Sequence, residues 1–149
     1  MIQIDRWARR IIALLEIGGG AIGMVALASA PSQTGLGGKI ILCCGAVYFL
    51  FGIVSGLLLA ESRPRGVICS LAYQFLQILN FTTPVISYLA MSGAYMGLSI
   101  KEAGFDIQAY LGTNFRFTFL QGDSPWNVGI NLLAIVAFVW LQQRGRRAT

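Results

Sequence analysis

The amino-acid sequence predicts an all-α membrane protein, a four-transmembrane-helix bundle with a small extracytoplasmic β-hairpin between its third and fourth helices. Three observations predict this fold. The chain of 149 residues is 56% hydrophobic and only 11% charged, whereas a soluble domain usually carries about 25% charged residues. Its apolar residues form long segments that could cross a hydrocarbon core of about 30 Å. Basic residues flank these segments, so the whole chain is interpreted as a single integral membrane domain.

The first two segments are long and almost free of charge. TM1 is predicted at about residues 11–30, where Glu16 is the only charged residue, and TM2 at about residues 39–60. About 20 apolar residues suffice for one crossing. A secretory signal peptide is the alternative for TM1, because Ala28-Ser29-Ala30 resembles a cleavage site, although Pro31 directly after it disfavours cleavage.

The later apolar segments predict two further crossings. TM3 is predicted at about residues 66–95, which is too long for one straight crossing. Pro84 is expected to kink it, because proline removes a helical hydrogen bond. TM4 is predicted at about residues 125–141, with Asp123 or Ser124 as its N-cap.

The only sizeable polar stretch, residues 101–124, separates TM3 from TM4. Residues 105–111 and 115–119 alternate between polar and apolar side chains, and Gly112-Thr113-Asn114 between them is a plausible turn. This pattern predicts a β-hairpin. Because an isolated hairpin is marginally stable, its aromatic face is expected to rest on the helix ends, on the headgroup layer or on a partner protein. Docking on a partner would use Phe115, Phe117 and Phe119.

The distribution of basic residues predicts the orientation of the chain. Four crossings would put eight of the eleven basic residues on one side of the membrane. The positive-inside rule assigns that side to the cytoplasm. The predicted location is therefore a plasma or inner membrane, with both termini cytoplasmic. The eight residues are Arg6, Arg9, Arg10, Arg63, Arg65, Arg144, Arg146 and Arg147.

A carboxyl group and several amides interrupt the apolar segments. Glu16 and Gln74 are expected at a similar depth, where they could form a hydrogen bond. The functional hypothesis is a carboxyl that handles protons or cations; the alternatives are a contact that holds helices together or a side chain that reaches back to the interface. The wider set is either a polar path for a solute or a ladder of interhelical hydrogen bonds. It comprises Glu16, Gln74, Gln77, Asn80 and Asn131.

Eighteen glycines suggest close helix packing. Two glycines four residues apart allow helix backbones to approach, either within one bundle or between copies of the chain. Three pairs fit this GxxxG pattern: Gly19 and Gly23, Gly52 and Gly56, and Gly93 and Gly97.

These features favour a non-enzymatic membrane protein. The chain has no histidine and no CxxC motif, so no catalytic residue, metal or cofactor is predicted. Basic residues at segment ends indicate contact with lipid headgroups rather than with nucleic acid. The predicted function is a scaffold or accessory subunit that contacts lipids and associates with other membrane subunits or with itself. The alternative is a small oligomeric transporter or channel with a polar path lined by TM1 and TM3.

Overall fold

The computed structural model describes residues 2–29, 35–102, 104–119 and 125–145. Within these ranges the chain forms four α-helices and six β-strands. The helices are α1 (Ile2–Ala28), α2 (Leu36–Ala60), α3 (Pro64–Ile78) and α4 (Leu132–Gly145). The strands, all between α3 and α4, are β1 (Leu79–Thr82), β2 (Ile86–Met91), β3 (Ala94–Lys101), β4 (Gly104–Leu111), β5 (Asn114–Phe119) and β6 (Asn127–Asn131).

The predicted all-α four-transmembrane-helix bundle is wrong. The six strands form one antiparallel sheet in the order β4-β3-β6-β1-β2-β5. Of the described helices, only α1 and α2 are long and apolar enough to cross a membrane, over Arg6–Ala28 and Leu36–Ala60. Helices α3 and α4 have 15 and 14 residues. At 1.5 Å per residue they are about 21–23 Å long, shorter than a core of about 30 Å.

The third segment is not a kinked transmembrane helix. Helix α3 ends at Ile78, and the chain continues directly into β1. Pro84 lies in the connection between β1 and β2, where it needs no helical hydrogen bond. The residues around it favour strands because they are β-branched or aromatic. They are Phe81, Thr82, Thr83, Val85, Ile86 and Tyr88.

The predicted β-hairpin is also wrong, although strands β4 and β5 occur close to their predicted positions. The two strands do not pair with each other. β4 pairs with β3 along its whole length, and β5 pairs with β2. These neighbours offer longer ladders than the predicted hairpin, and they place β4 and β5 at opposite edges of the sheet.

The fourth apolar segment begins as a strand rather than a helix. Pro125 precedes β6, and α4 starts only at Leu132. The Asn131 side-chain oxygen accepts hydrogen bonds from the backbone N–H groups of Leu133 and Ala134, at 3.2 and 3.4 Å. Asn131 therefore caps the helix, while the predicted caps, Asp123 and Ser124, lie outside the described residues.

The sheet curls so that its two edges approach each other at one end. Only two residues separate Leu111, the last residue of β4, from Asn114, the first residue of β5. The backbone N–H of Gly112 in this link donates to the Gly93 carbonyl at 2.8 Å. The link and the β2–β3 turn (residues 92–93) therefore lie together at this end of the sheet.

Helices α1 and α2 pack side by side, and the sheet lies against the C-terminal half of α1 and the N-terminal half of α2. The β2–β3 turn reaches the middle of α1, where a Cβ added to Gly93 would lie 2.7 Å from the Leu15 carbonyl oxygen. The ring of Phe115 in β5 stacks on Tyr48 of α2, with centroids 5.4 Å apart. A core of Tyr48, Phe49, Tyr73 and Ala90 joins the helices to the sheet.

Candidate polar site between helices and sheet

Glu16 forms the centre of a buried polar cluster that joins three helices. Its Oε2 atom accepts hydrogen bonds from the hydroxyls of Ser55 in α2, at 3.0 Å, and Ser70 in α3, at 2.8 Å. Its Oε1 atom accepts the expected hydrogen bond from Gln74 Nε2, at 2.9 Å. Neither ion pair recorded among the described side chains involves Glu16. Neutral donors alone therefore hold the carboxyl, which is 1% exposed.

The cluster follows from the spacing of polar residues along α3. Ser70 and Gln74 are four residues apart, so they lie on the same face of the helix. Gln77 continues that face, and all three side chains are buried. The Oε1 atom of Gln77 accepts a hydrogen bond from the Ser92 backbone N–H at 3.1 Å. The α3 face thus connects the Glu16 cluster to the β2–β3 turn.

Asn80 and Asn131 do not lie on helices, where the predicted TM3 and TM4 would have put them. Asn80 lies on β1, because α3 ends at Ile78, and Asn131 is the last residue of β6. The Asn80 amide donates to the Tyr95 hydroxyl at 2.9 Å, and the Asn131 oxygen also accepts from the Met96 backbone N–H at 3.4 Å. All five residues of the predicted polar path are buried, but they are divided between helices and the sheet.

The sheet has one polar and one apolar face. Residues directly opposite each other on adjacent strands share a face. One such row is polar from β3 to β5: Lys101, Asn127, Thr82, Ser87 and Thr118. The neighbouring row on the opposite face is apolar or aromatic throughout: Phe105, Ile100, Val128, Phe81, Tyr88 and Phe117.

The polar face is turned inward. Ser87 and Ser99 on this face are buried, whereas Phe105 and Ile107 on the apolar face are 78% and 73% exposed. At β4 this arrangement is the reverse of a soluble sheet, in which the apolar face is buried and the polar face is solvated. The exposed apolar face of β4 is therefore suited to apolar surroundings, whereas Ala90 and Phe115 on the same face of β2 and β5 pack against α2.

An ion pair lies on the inward-facing side near the end of β3. Lys101 pairs with Asp106 on β4, and the Gln108 amide donates to Asp106 at 2.7 Å. The hydrogen bond from Lys101 is the main reason that the pKa of Asp106 is lowered from its ordinary value. The charged groups therefore stabilise the pairing of β3 with β4.

A cavity of about 300 Å³ lies between α1 and α4, with α3 as its floor. Its walls are aliphatic and aromatic side chains, and its polar lining consists of Gln74, Gln77 and Ser92. The walls include residues that are themselves well exposed, such as Ile11 and Val136. The cavity is thus open sideways between the two helices.

The three phenylalanines predicted to dock a partner have different surroundings. Phe115 packs inside the protein against Tyr48 and Phe49. Phe117 and Phe119 are in edge-to-face contact at 4.9 Å, and Phe119 is 60% exposed. The three do not form one free surface.

The predicted glycine pairs pack within the protein. In α1 and α2, an added Cβ would lie within 3 Å of an internal neighbour at each of four glycines. Gly93 and Gly97 are not on a helix: they lie in the β2–β3 turn and in β3. The four helical glycines and their neighbours are as follows: Gly19 lies against Ser92, Gly23 against Phe49, Gly52 against Tyr73 and Gly56 against Ala13.

Four buried polar residues of this region were not predicted from the sequence: Ser55 and Ser92, which complete the polar cluster, and Tyr95 and Ser99 on the inner face of the sheet. A signal for the last two was present. In residues 94–101, apolar residues at every second position from Ala94 to Ile100 alternate with Tyr95, Gly97, Ser99 and Lys101, which is the period of a strand.

Comparison with known proteins identifies no relative: no protein-family model, no curated protein and no solved structure matches this chain.

Proposed function

We propose that this protein is a non-enzymatic membrane protein that acts as a scaffold or accessory subunit of a membrane complex. The observation that supports this proposal is the pairing of the outermost strands. In the described sheet, β4 pairs only with β3, and β5 pairs only with β2. Each edge strand therefore has backbone N–H and C=O groups that can pair with another chain.

The position of the sheet along α1 indicates which surroundings the open sheet edges would have in a membrane. The end of the sheet at Gly93 contacts Leu15, close to the middle of the candidate span Arg6–Ala28. If α1 and α2 cross the membrane, part of the sheet lies within the hydrocarbon core. The exposed apolar side chains of β4, including Leu111 at 83% exposure, suit that depth.

An open sheet edge is unfavourable in lipid. Lipid tails cannot form hydrogen bonds, so each unpaired backbone group costs several kcal/mol, and open edges do not occur where lipid surrounds them. A neighbouring membrane subunit that adds a strand or covers the edge removes this cost. We therefore place the docking surface on β4, at the exposed residues Phe105, Ile107 and Leu111.

The basic residues support an orientation with the N-terminus in the cytoplasm of a plasma or inner membrane. Ala13 of α1 lies beside Gly56 of α2, so the basic start of α1 and the Arg63–Arg65 connection lie at the same end. Positive charge favours the cytoplasmic side. The C-terminal arginines extend this inference to the C-terminus, because α4 runs antiparallel to the α3 segment that it packs against.

The proposal is tested by extracting the protein from its native membrane in a mild detergent and measuring the mass and composition of the particle. We expect another subunit in fixed stoichiometry. Ile107→Lys should release it, because a charge on the exposed face of β4 opposes docking in an apolar interface. Val85→Lys is the matched control, because Val85 is similarly exposed but lies in the β1–β2 connection. A wild-type particle that contains one chain and no companion would contradict the proposal.

A transporter or channel is the second candidate, and the location of Glu16 favours it. This carboxyl lies near the middle of the first candidate span. Carboxyl groups at such depth are often part of ion or proton pathways. Gln74 and Gln77 extend the buried polar region toward Asn80 and the inner face of the sheet.

This second candidate predicts ion or proton flux in liposomes that contain the purified protein. Glu16→Gln should abolish the flux while leaving the fold intact, because the amide occupies the same volume without a titratable group. Equal flux in the variant and the wild type, or no flux in either, would remove this candidate.

A further inference from the structure

We propose that the cavity between α1 and α4 binds an apolar carbonyl compound from the lipid phase, of the lipid-soluble quinone class. The shape of the cavity supports a small-molecule site. Its volume of about 300 Å³ is at the lower end of the range for ligand pockets. Its sideways opening between exposed residues such as Ile11 and Val136 provides a route from the bilayer.

The polar floor supplies the specificity. Gln77 lines the cavity and is 3% exposed, yet its Nε2 atom has no hydrogen-bond partner among the described residues. Ser92 also lines the cavity, and its buried hydroxyl, close to that of Tyr73, has no hydrogen-bond partner of ordinary geometry among the described residues. A buried donor without a partner is costly. A ligand that brings an acceptor oxygen to Gln77 would remove that cost.

The chemistry of the lining favours an uncharged, largely apolar ligand that carries a hydrogen-bond acceptor. The described lining residues carry no formal charge, so the site offers nothing to balance a carboxylate or phosphate. The floor is level with Leu15, in the middle of α1. A phospholipid keeps its polar headgroup at the interface and would place only hydrocarbon against Gln77. A quinone carbonyl can reach this depth together with its apolar ring and tail.

The test uses the full-length protein in lipid nanodiscs and a decyl-substituted benzoquinone as the probe. Trp140 lines the cavity, and a quinone that binds there should quench its fluorescence. Trp7→Phe and Trp126→Phe remove the other two tryptophans of the chain. We expect saturable quenching that decylbenzene, which lacks a carbonyl oxygen, does not reverse.

Two pairs of variants separate binding from partition into lipid. Gln77→Leu should raise the dissociation constant about tenfold, the effect of one lost hydrogen bond, whereas Gln108→Leu on β4 should not. Ala137→Leu narrows the cavity and should abolish saturation, while Val139→Leu, outside the lining, should preserve it. Linear quenching that is identical in all variants would show partition only and overturn the proposal. Equal competition by decylbenzene would overturn the role of the carbonyl group.

Discussion

Glu16→Ala tests whether the buried carboxyl stabilises the packing of α1, α2 and α3. In the wild-type protein Glu16 accepts hydrogen bonds from Ser55, Ser70 and Gln74, at 2.8 to 3.0 Å. Removing the carboxyl leaves the Ser70 hydroxyl and the Gln74 amide without this partner. Ser55 is less affected, because its hydroxyl also donates to the Gly52 carbonyl at 3.0 Å.

The magnitude follows from the two donors that lose a partner. Each buried unpaired donor costs about 1–3 kcal/mol, although hydrogen bonds between membrane helices average only about 0.6 kcal/mol. Two donors together give about 2–6 kcal/mol, and the low membrane average favours the lower end, so we expect Glu16→Ala to lower the free energy of unfolding by about 2–3 kcal/mol. Glu16→Gln keeps one acceptor oxygen and nearly the same volume, so its loss should be about 1 kcal/mol.

The assay is reversible unfolding in mixed detergent micelles, titrated with a denaturing detergent and followed by circular dichroism. Leu14→Ala is the control, because Leu14 is on the same helix and is 70% exposed. The expected order of stability is wild type, then Glu16→Gln, then Glu16→Ala. Surface substitutions usually change the free energy of unfolding by no more than about 0.5 kcal/mol. If the free energies of unfolding of Glu16→Ala and Leu14→Ala differed by less than that, the structural role of the cluster would be refuted.

Two further predictions concern the sheet. Gly19→Val should lower the free energy of unfolding by about 1–3 kcal/mol by overpacking, because an added Cβ would lie within 3 Å of Ser92 and Gly93; Gly18→Val is the control, since no atom lies within 4 Å there. Asp106→Asn should destabilise the protein at neutral pH, where the lowered pKa of Asp106 contributes stability. That difference should disappear as the pH falls below about 4, through the folded-state pKa of the carboxyl; a pH-independent difference would contradict the ion-pair explanation.

The first half of the fold could be predicted from the sequence because its signals are local. The apolar runs of α1 and α2, broken by Glu16 and Lys39, are long enough for a membrane crossing, and their length favours helices over strands. The hydrogen bond between Glu16 and Gln74 could also be predicted, because a deep carboxyl group needs a donor and Gln74 is at a similar distance along its own helix. Both inferences depended on positions along helices, where the geometry is regular.

The second half could not be predicted in the same way, because hydropathy alone does not distinguish a buried helix from an apolar strand. Residues 66–100 include no charged residue, which favoured a helix when lipid was assumed to surround them. The competing signal was the β-branched and aromatic content after Ile78. The pairing of β4 with β3 rather than with β5 required long-range information, since two candidate strands joined by a short turn normally form a hairpin.

The two faces of the sheet explain why its sequence resembles that of a membrane helix. Outward residues such as Phe105, Ile107 and Val128 are apolar and exposed, while inward residues such as Asn80 and Ser99 are polar and buried. In water this arrangement would expose the apolar face to solvent, and burying the polar residues would contribute little stability. Next to two helices that are long and apolar enough to span a membrane, the apolar face could contact lipid or a neighbouring subunit. The polar face then satisfies its hydrogen bonds internally, as the contact between Asn80 and Tyr95 illustrates. The high hydropathy of the second half is therefore consistent with strands as well as with helices, provided that a partner covers the open edges at β4 and β5.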